Sequence, residues 1–358
     1  MTPPSSTGIR TAPAEDLMRL DASDRARLAR IIGAVAGKRI IVLGDLVADE
    51  FVSGEIARVS REAPVLILKQ REKRIVPGGG ANAANNLVDL GVQLTLLGAA
   101  GEDEAGEALL GCFRAKGIEV QGVVRPKDYC TPTKSRILGA VGHGRPQQIV
   151  RLDREPAAPL DSRAQRRLMA KAEELLSEAD AVLASDYGYG AVNPRALGRL
   201  ARARETARSG KRPPVMLDSR YHLRGYTGVT SATPNEQEME QAFGVHVRNR
   251  TGVLDDLAAR VLKRQRFESL LVTRGRQGMV LYERNRAPQV LRIFGSDQVA
   301  DVTGAGDTVI AVFTAALAAR ATFLDAARLA NCAGGLVVMK SGTATVTASE
   351  LSEAIRNA

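Results

Sequence analysis

The stretch Asp301-Val-Thr-Gly-Ala-Gly-Asp307 has residue types and spacing that suit chemistry. Glycines at 304 and 306 free the backbone to turn tightly and to aim its N–H groups at a ligand. The run that follows, TVIAVFTAALAA, is helix-like. Its N-terminus would carry positive partial charge, which stabilises anions. Asp307 stands at that same point. A carboxylate there opposes simple phosphate binding, because like charges repel. It suits a base that takes a proton from a hydroxyl while the helix N-terminus holds the developing charge. An Asp that merely caps a helix after a glycine turn has the same look. Spacing alone leaves both readings open.

The elements that must position these residues alternate along the chain. Residues 39–43 (RIIVL), 93–97, 181–184, 215–217 and 270–273 read as short buried strands. Helix-like segments lie at 81–90, 104–116, 164–177, 194–208, 254–265, 307–319 and 325–339. Gly91 and Gly117 are natural helix stops, and Pro194 suits a first turn. This rhythm predicts an α/β fold with a central, mostly parallel sheet and helices on both faces. Two stretches, 50–76 and 133–153, break it with alternating or apolar runs such as PVLILK, KSRILGAVG and QQIVRLD, the second carrying a GHGRP turn. They read as hairpin-like excursions that meet in a small β-sheet lid. The expected organisation is a lead-in and helix over 1–37, one domain over 38–352 with that lid, and a tail over 353–358.

Composition narrows the partners. The 358 residues are 44% hydrophobic and 25% charged, which is ordinary globular protein. Fifty Lys and Arg against forty Asp and Glu give +10. The basic residues are spread out, there is no Trp, and aromatics are only 4%, so nucleic acid is not expected. The densest basic stretch, 199–212, reads as a solvated helix face. Cys112, Cys130 and Cys332 are an odd set without CxxC, and His143, His222 and His246 are isolated. A disulfide scaffold and a His- or Cys-built zinc site are therefore excluded, and a reducing cytoplasm is expected. No apolar run reaches the ~18–20 residues of a membrane span, and the N-terminus lacks a signal h-region. A P-loop GxxxxGK[ST] is absent.

DVTGAGD resembles the C-terminal signature of the ribokinase-like (PfkB) sugar kinases, and Pro77-Gly-Gly-Gly-Ala-Asn-Ala-Ala84 resembles their N-terminal one. Gly44-Asp45, Thr233-Pro-Asn-Glu-Gln-Glu238 and Thr273-Arg-Gly275 with Gly278 fall in register, and the resemblance spans residues 38–352. Within the family, GDLVAD, RVSREAPV, IVRLDRE, ASDYGYG and SGTATV look most like the bacterial heptose 7-phosphate kinases of ADP-heptose synthesis. Two positions depart. Tyr189 stands where such kinases carry Lys, and Asp218-Ser-Arg220 where they read Asp-Pro-Lys. The adenylyltransferase domain of bifunctional versions is not expected after the kinase segment.

The resemblance implies roles. Asp307 is the general base. The backbone of Gly304, Ala305 and Gly306 forms the anion hole. Asp45, Asp49, Gly79, Gly80 and Asn82 hold the sugar, with Arg151 and Glu155 reaching it from the lid. Thr273, Arg274, Gly275 and Gly278 sit by the phosphates of ATP, with Asn331 and Gly342 near the adenine. Asn235 and Glu238 organise Mg²⁺ through water. Asp301 and Thr303 resemble a monovalent cation (K⁺) site. The expectation is an ATP-dependent sugar or sugar-phosphate kinase, forming a homodimer through the lid. The rivals are another acceptor (ribose, fructose or a nucleoside) and a non-catalytic sensor on the same fold. An intact base argues against the sensor.

Overall fold

The computed structural model describes residues 18–141, 144, 146–204, 212–247, 251–295 and 300–358. In chain order it contains α1 (Ala22–Val35), β1 (Arg39–Val59), β2 (Leu66–Gly79), α2 (Gly80–Asp89), β3 (Gln93–Ala99) and α3 (Glu104–Ala115). Next come β4 (Val123–Val124), β5 (Thr133–Ala140), β6 (Gln147–Arg154), α4 (Ser162–Leu175), β7 (Ala181–Asp186), α5 (Pro194–Ala203), β8 (Val215–Ser219) and β9 (Ser231–Ala232). The remainder is α6 (Glu236–Phe243), α7 (Thr251–Arg264), β10 (Ser269–Thr273), β11 (Met279–Glu283), β12 (Gln289–Leu291), α8 (Ala305–Ala318), α9 (Phe323–Val337) and α10 (Ala348–Arg356).

The main sheet runs β12-β11-β10-β9-β8-β7-β1-β3-β4. It is parallel except where β11 and β12 turn back at one edge. Helices cover both faces, as the alternation predicts. One apolar layer joins α1, α2, α3, α8, α9 and α10, and the other joins α4, α5, α6 and α7. The RIIVL run lies mid-sheet, where burial on both faces demands a continuous apolar strand. α8 and α9 are rich in Ala, which lets two buried helices approach closely; residues 307–318 of α8 are all buried.

The lid is the second half of β1 flanked by β2, which pairs with it antiparallel, and by β5, which pairs parallel; β6 closes the far edge. Both predicted excursions therefore join one sheet. The short strand expected at 39–43 is in fact the start of a 21-residue strand shared by both sheets. Leu28 and Ile32 of α1 and Leu351 and Ile355 of α10 lie in the same apolar layer as α8. α5 ends at Ala203 with Arg204 as its C-cap, and residues 205–208 of the expected 194–208 helix fall outside the described residues. Most of the GHGRP turn, His143 included, does too.

Candidate active site

Asp307 occupies the third helical position of α8, after the glycine turn. It does not cap the helix. Gly304 is the N-cap, at φ 77°, and a Cβ there would fall 2.5 Å from Asn82 Nδ2. The Asp307 carboxylate is 4% exposed and held from two sides. Asn82 Nδ2 donates to Oδ2 at 2.9 Å, and Tyr187 Oη donates to Oδ1 at 2.8 Å. Burial pushes its pKa up to about 7, with Asp49 adding to the rise and Asn82, Tyr187 and Lys134 opposing it. A carboxylate poised near neutrality suits general base work.

The glycine-rich turn brings α2 against β1 and β7. A Cβ on Gly78 would sit 2.6 Å from Asp49 Oδ2, and one on Gly80 would sit 2.9 Å from the Asp45 carbonyl. Gly79 has φ 52°, and a Cβ on it would press on Val47 and Tyr187. Gly79 and Gly80 thus have a packing reason to be glycine.

The expected sugar ligands divide. Asp49 is buried at the start of the lid, where Oδ1 accepts from Arg136 Nη1 at 2.6 Å and Oδ2 from Thr343 Oγ1 at 3.0 Å. Asp45 does a different job. Its oxygens accept backbone N–H groups of Tyr187, Tyr189 and Ala191 at 2.8, 3.0 and 2.8 Å. It anchors the loop after β7 rather than presenting a free carboxylate to a sugar. Burial pushes its pKa up to about 6 against those three donors. Asn82 is likewise tied to the base and, at 3.3 Å, to the Gly304 carbonyl. On the lid, exposed Arg151 forks onto Asp153 at 2.8 and 2.9 Å, and Glu155 accepts from Tyr189 Oη at 2.8 Å.

On the other side of the glycine turn, Thr273, Gly275, Gly278, Ala305, Gly306 and Asn331 line one cavity of about 290 Å³. Asn331 Nδ2 donates to the Arg292 carbonyl at 2.6 Å. A second cavity of about 570 Å³ shares Thr273 and Gly275 and adds Asn235, Glu236 and Arg274. Arg274 is half-buried and paired with Glu236 at 2.7 Å. Gly342, expected near the adenine, does not line the first cavity. Its N–H donates to Asp301 Oδ2 at 3.0 Å, while Thr303 N–H donates to Oδ1 at 2.9 Å.

Asn235 and Glu238 form a capping box on α6. Glu238 N–H donates to Asn235 Oδ1 at 2.8 Å and Asn235 N–H donates to Glu238 Oε2 at 2.9 Å. Burial pushes the Glu238 pKa up. Asp218 is also pushed up, by burial first and then by the carboxylates of Glu238, Asp307 and Asp186. Among the described residues, no three His, Cys, Asp or Glu side chains are grouped to hold a metal directly.

The sequence reading missed Tyr187, Lys134 and Arg136. The last two lie two apart on β5, opposite Asp49 and Phe51 of β1, so all four share one face of the lid. Arg74 and Arg151 are in register with Phe51 and Arg136, which adds both to that face. The alternation Lys-Ser-Arg was the available signal.

Residues 39–350 match the pfkB family carbohydrate kinases, and the chain belongs to that family: it is a sugar kinase. A bifunctional protein HldE from Caulobacter vibrioides is 40% identical over 328 residues, 90% of this chain and 65% of its own length. One from Desulfatibacillum aliphaticivorans is 36% identical over 315 residues, 87% of this chain and 62% of its own length. The chain thus spans somewhat less than two thirds of these relatives. In fold, Arabidopsis thaliana ribokinase complexed with ribose and ATP matches with TM-score 0.68 at 20% identity, covering 90% of this chain and 99% of that one. Phosphofructokinase-2 from Escherichia coli in complex with potassium matches with TM-score 0.69 at 19% identity and the same coverage. The fold is ribokinase-like.

Proposed function

We propose that this kinase transfers the γ-phosphoryl group of ATP to a hydroxyl of a sugar phosphate of the heptose 7-phosphate type. The observation that carries the reading is the buried Asp307, poised near neutrality at the N-terminus of α8 and held by two donors. Asp307 takes the proton of the acceptor hydroxyl as that oxygen bonds to the γ-phosphorus. The bond from phosphorus to the β-phosphate oxygen breaks, and ADP leaves. The N–H groups of Gly304 and Gly306 at the N-terminus of α8 would meet the charge that develops on the transferring group, whereas the Ala305 N–H donates to the Val302 carbonyl at 3.2 Å. The paired cavities along Thr273 and Gly275, the first also lined by Gly278 and Asn331, offer room for the nucleotide.

Asn235 and Glu238 would hold Mg²⁺ through water, and a divalent cation would relieve the carboxylate repulsion that pushes Asp218 up. When bound, Mg²⁺ neutralises charge on the phosphates. Asp301 suits a monovalent cation. Burial would raise its pKa, but hydrogen bonds from Thr303 and Gly342 outweigh it and keep the group ionised.

An anionic acceptor is supported by the site face of the lid. Lys134, Arg136, Arg74 and Arg151 share that face with Asp49. Lys134 is half-buried, and its pKa is lowered by burial and by the nearby Arg220. A phosphate dianion would restore balance there. The outer face carries exposed Val150 and Leu152, 51% and 66% exposed, which supports a second copy as the covering partner. Three free thiols suit a reducing cytoplasm. No helix among the described residues is long and apolar enough to cross a membrane. A phosphoryl-transfer screen with ATP, Mg²⁺ and a panel of sugars and sugar phosphates tests the reading. Turnover confined to free sugars or nucleosides would replace the acceptor. No transfer to any of them would point to the sensor.

A further inference from the structure

Asp307 is gripped by donors that come from different elements. Asn82 stands near the start of α2, and Tyr187 on the loop just after β7. Each takes a separate carboxylate oxygen. We infer that Tyr187 is a positioning residue for phosphoryl transfer: its phenol fixes the plane of the Asp307 carboxylate and stabilises its charged form. This rests on reading Asp307 as the base.

Three features keep the phenol in place. The backbone N–H of Tyr187 donates to Asp45 Oδ2 at 2.8 Å, and the N–H groups of Tyr189 and Ala191 bind the same carboxylate. Buried Asp45 therefore pins the loop that carries the ring. Gly79 lets the ring pack closely, because a Cβ there would fall 3.1 Å from Tyr187 Cε2. The Lys134 ammonium lies over the ring, 5.4 Å from its centroid. A side chain held at its backbone, its edge and its face has little freedom to swing.

The chemistry of the contact has a direction. Burial, and the carboxylates of Asp307 and Asp218, hold the Tyr187 phenol well above its ordinary pKa. It stays a neutral O–H donor wherever the enzyme works. A donor to a carboxylate favours the ionised form over the protonated one. The other groups facing Asp307 are Asp49 on β1 and Asp218 on β8, which oppose its ionisation, Lys134 on β5, which favours it, and neutral Asn82 on α2. Two carboxylates thus stand against one ammonium. The two neutral donors are what bring the base back toward neutrality, and Tyr187 is one of them. Each Asp307 oxygen keeps a second lone pair, so an acceptor hydroxyl can join without displacing the phenol.

The test is the pH dependence of kcat/KM for the full-length chain, with ATP, Mg²⁺ and D-glycero-D-manno-heptose 7-phosphate. Tyr187→Phe removes the donor and keeps the ring. Its acid limb should move up by about one pH unit, its rate at pH 7 should fall about fivefold, and most of that loss should return by pH 9. The KM for ATP should stay within about twofold. A second variant, with 3-fluorotyrosine placed at Tyr187, keeps the shape and strengthens the donor, so its limb should move down. Asp307→Asn separates this inference from the reading beneath it. If Asp307→Asn is inactive while both Tyr187 variants keep the wild-type limb, the positioning role is wrong and the base stands. If Asp307→Asn works normally, both are wrong.

Discussion

The pocket around Asp307 and the lid are built from the same strand, β1, yet they have opposite physics. At the Asp307 end two buried carboxylates are held by donors: Asp45 takes three backbone N–H groups, and Asp307 takes a phenol and an amide, while Ser185 Oγ beside the glycine turn is buried without a partner. At the lid end, Val59, Leu66, Val150 and Leu152 are more than 40% exposed, and burial with the nearby Arg220 lowers the Lys134 pKa in spite of Asp153 and Asp49. Carboxylates held this way are fixed before any ligand arrives, which is what preorganised catalysis needs. A surface with unspent apolar area and basic charge is complete only when something else joins it. Under the proposed function, the first region does the chemistry and the second the recognition.

The sharpest way to break that division is Asp307→Asn. It should lower kcat by on the order of 10²–10⁴ while nucleotide affinity stays near that of the wild type, as read by steady-state kinetics and calorimetric ADP titration. A near-normal rate would move the chemistry elsewhere. Arg136→Ala comes next. It should raise the KM for a sugar phosphate roughly tenfold or more, because a charge-assisted contact is lost and Asp49 is left without its ion pair. The KM for ATP should not follow; if it did, the lid would not be the acceptor side. The smallest effect is expected for Leu152→Lys. Light scattering should show the proposed dimer giving way to monomer, while the melting temperature of the fold changes little, since an exposed substitution costs within about 0.5 kcal/mol. A dimer of unchanged mass would leave the outer lid face without that partner.

Much of this was legible in the chain itself. The turn before α8 and the turn before α2 are local glycine patterns, and the lid excursions stood out because they broke the βα rhythm. What escaped notice was non-local. Tyr187 lies 120 residues from Asp307, and nothing in SDYGYG marks which tyrosine faces the base. Asp45 and Asp49 lie four apart on one strand and looked like a pair for one sugar. Between them β1 passes from the main sheet to the lid, so their neighbours differ: a loop of backbone N–H groups for one, an arginine and a threonine for the other. The antiparallel edge of β11 and β12 was missed because short edge strands carry little periodicity.

The central claim is that Asp307 is a base poised near neutrality by its burial and its two donors. The most direct measurement is the kcat/KM pH profile of the wild-type chain from pH 5 to 9, beside that of the residual Asp307→Asn activity. The free-enzyme limb reports the base, which must be ionised to act. Its pKa is raised to about 7, so activity should fall about tenfold for each pH unit below that point and level off above it. The limb should vanish in Asp307→Asn. A wild-type limb near pH 4, or one that persists unchanged in the variant, would contradict the account.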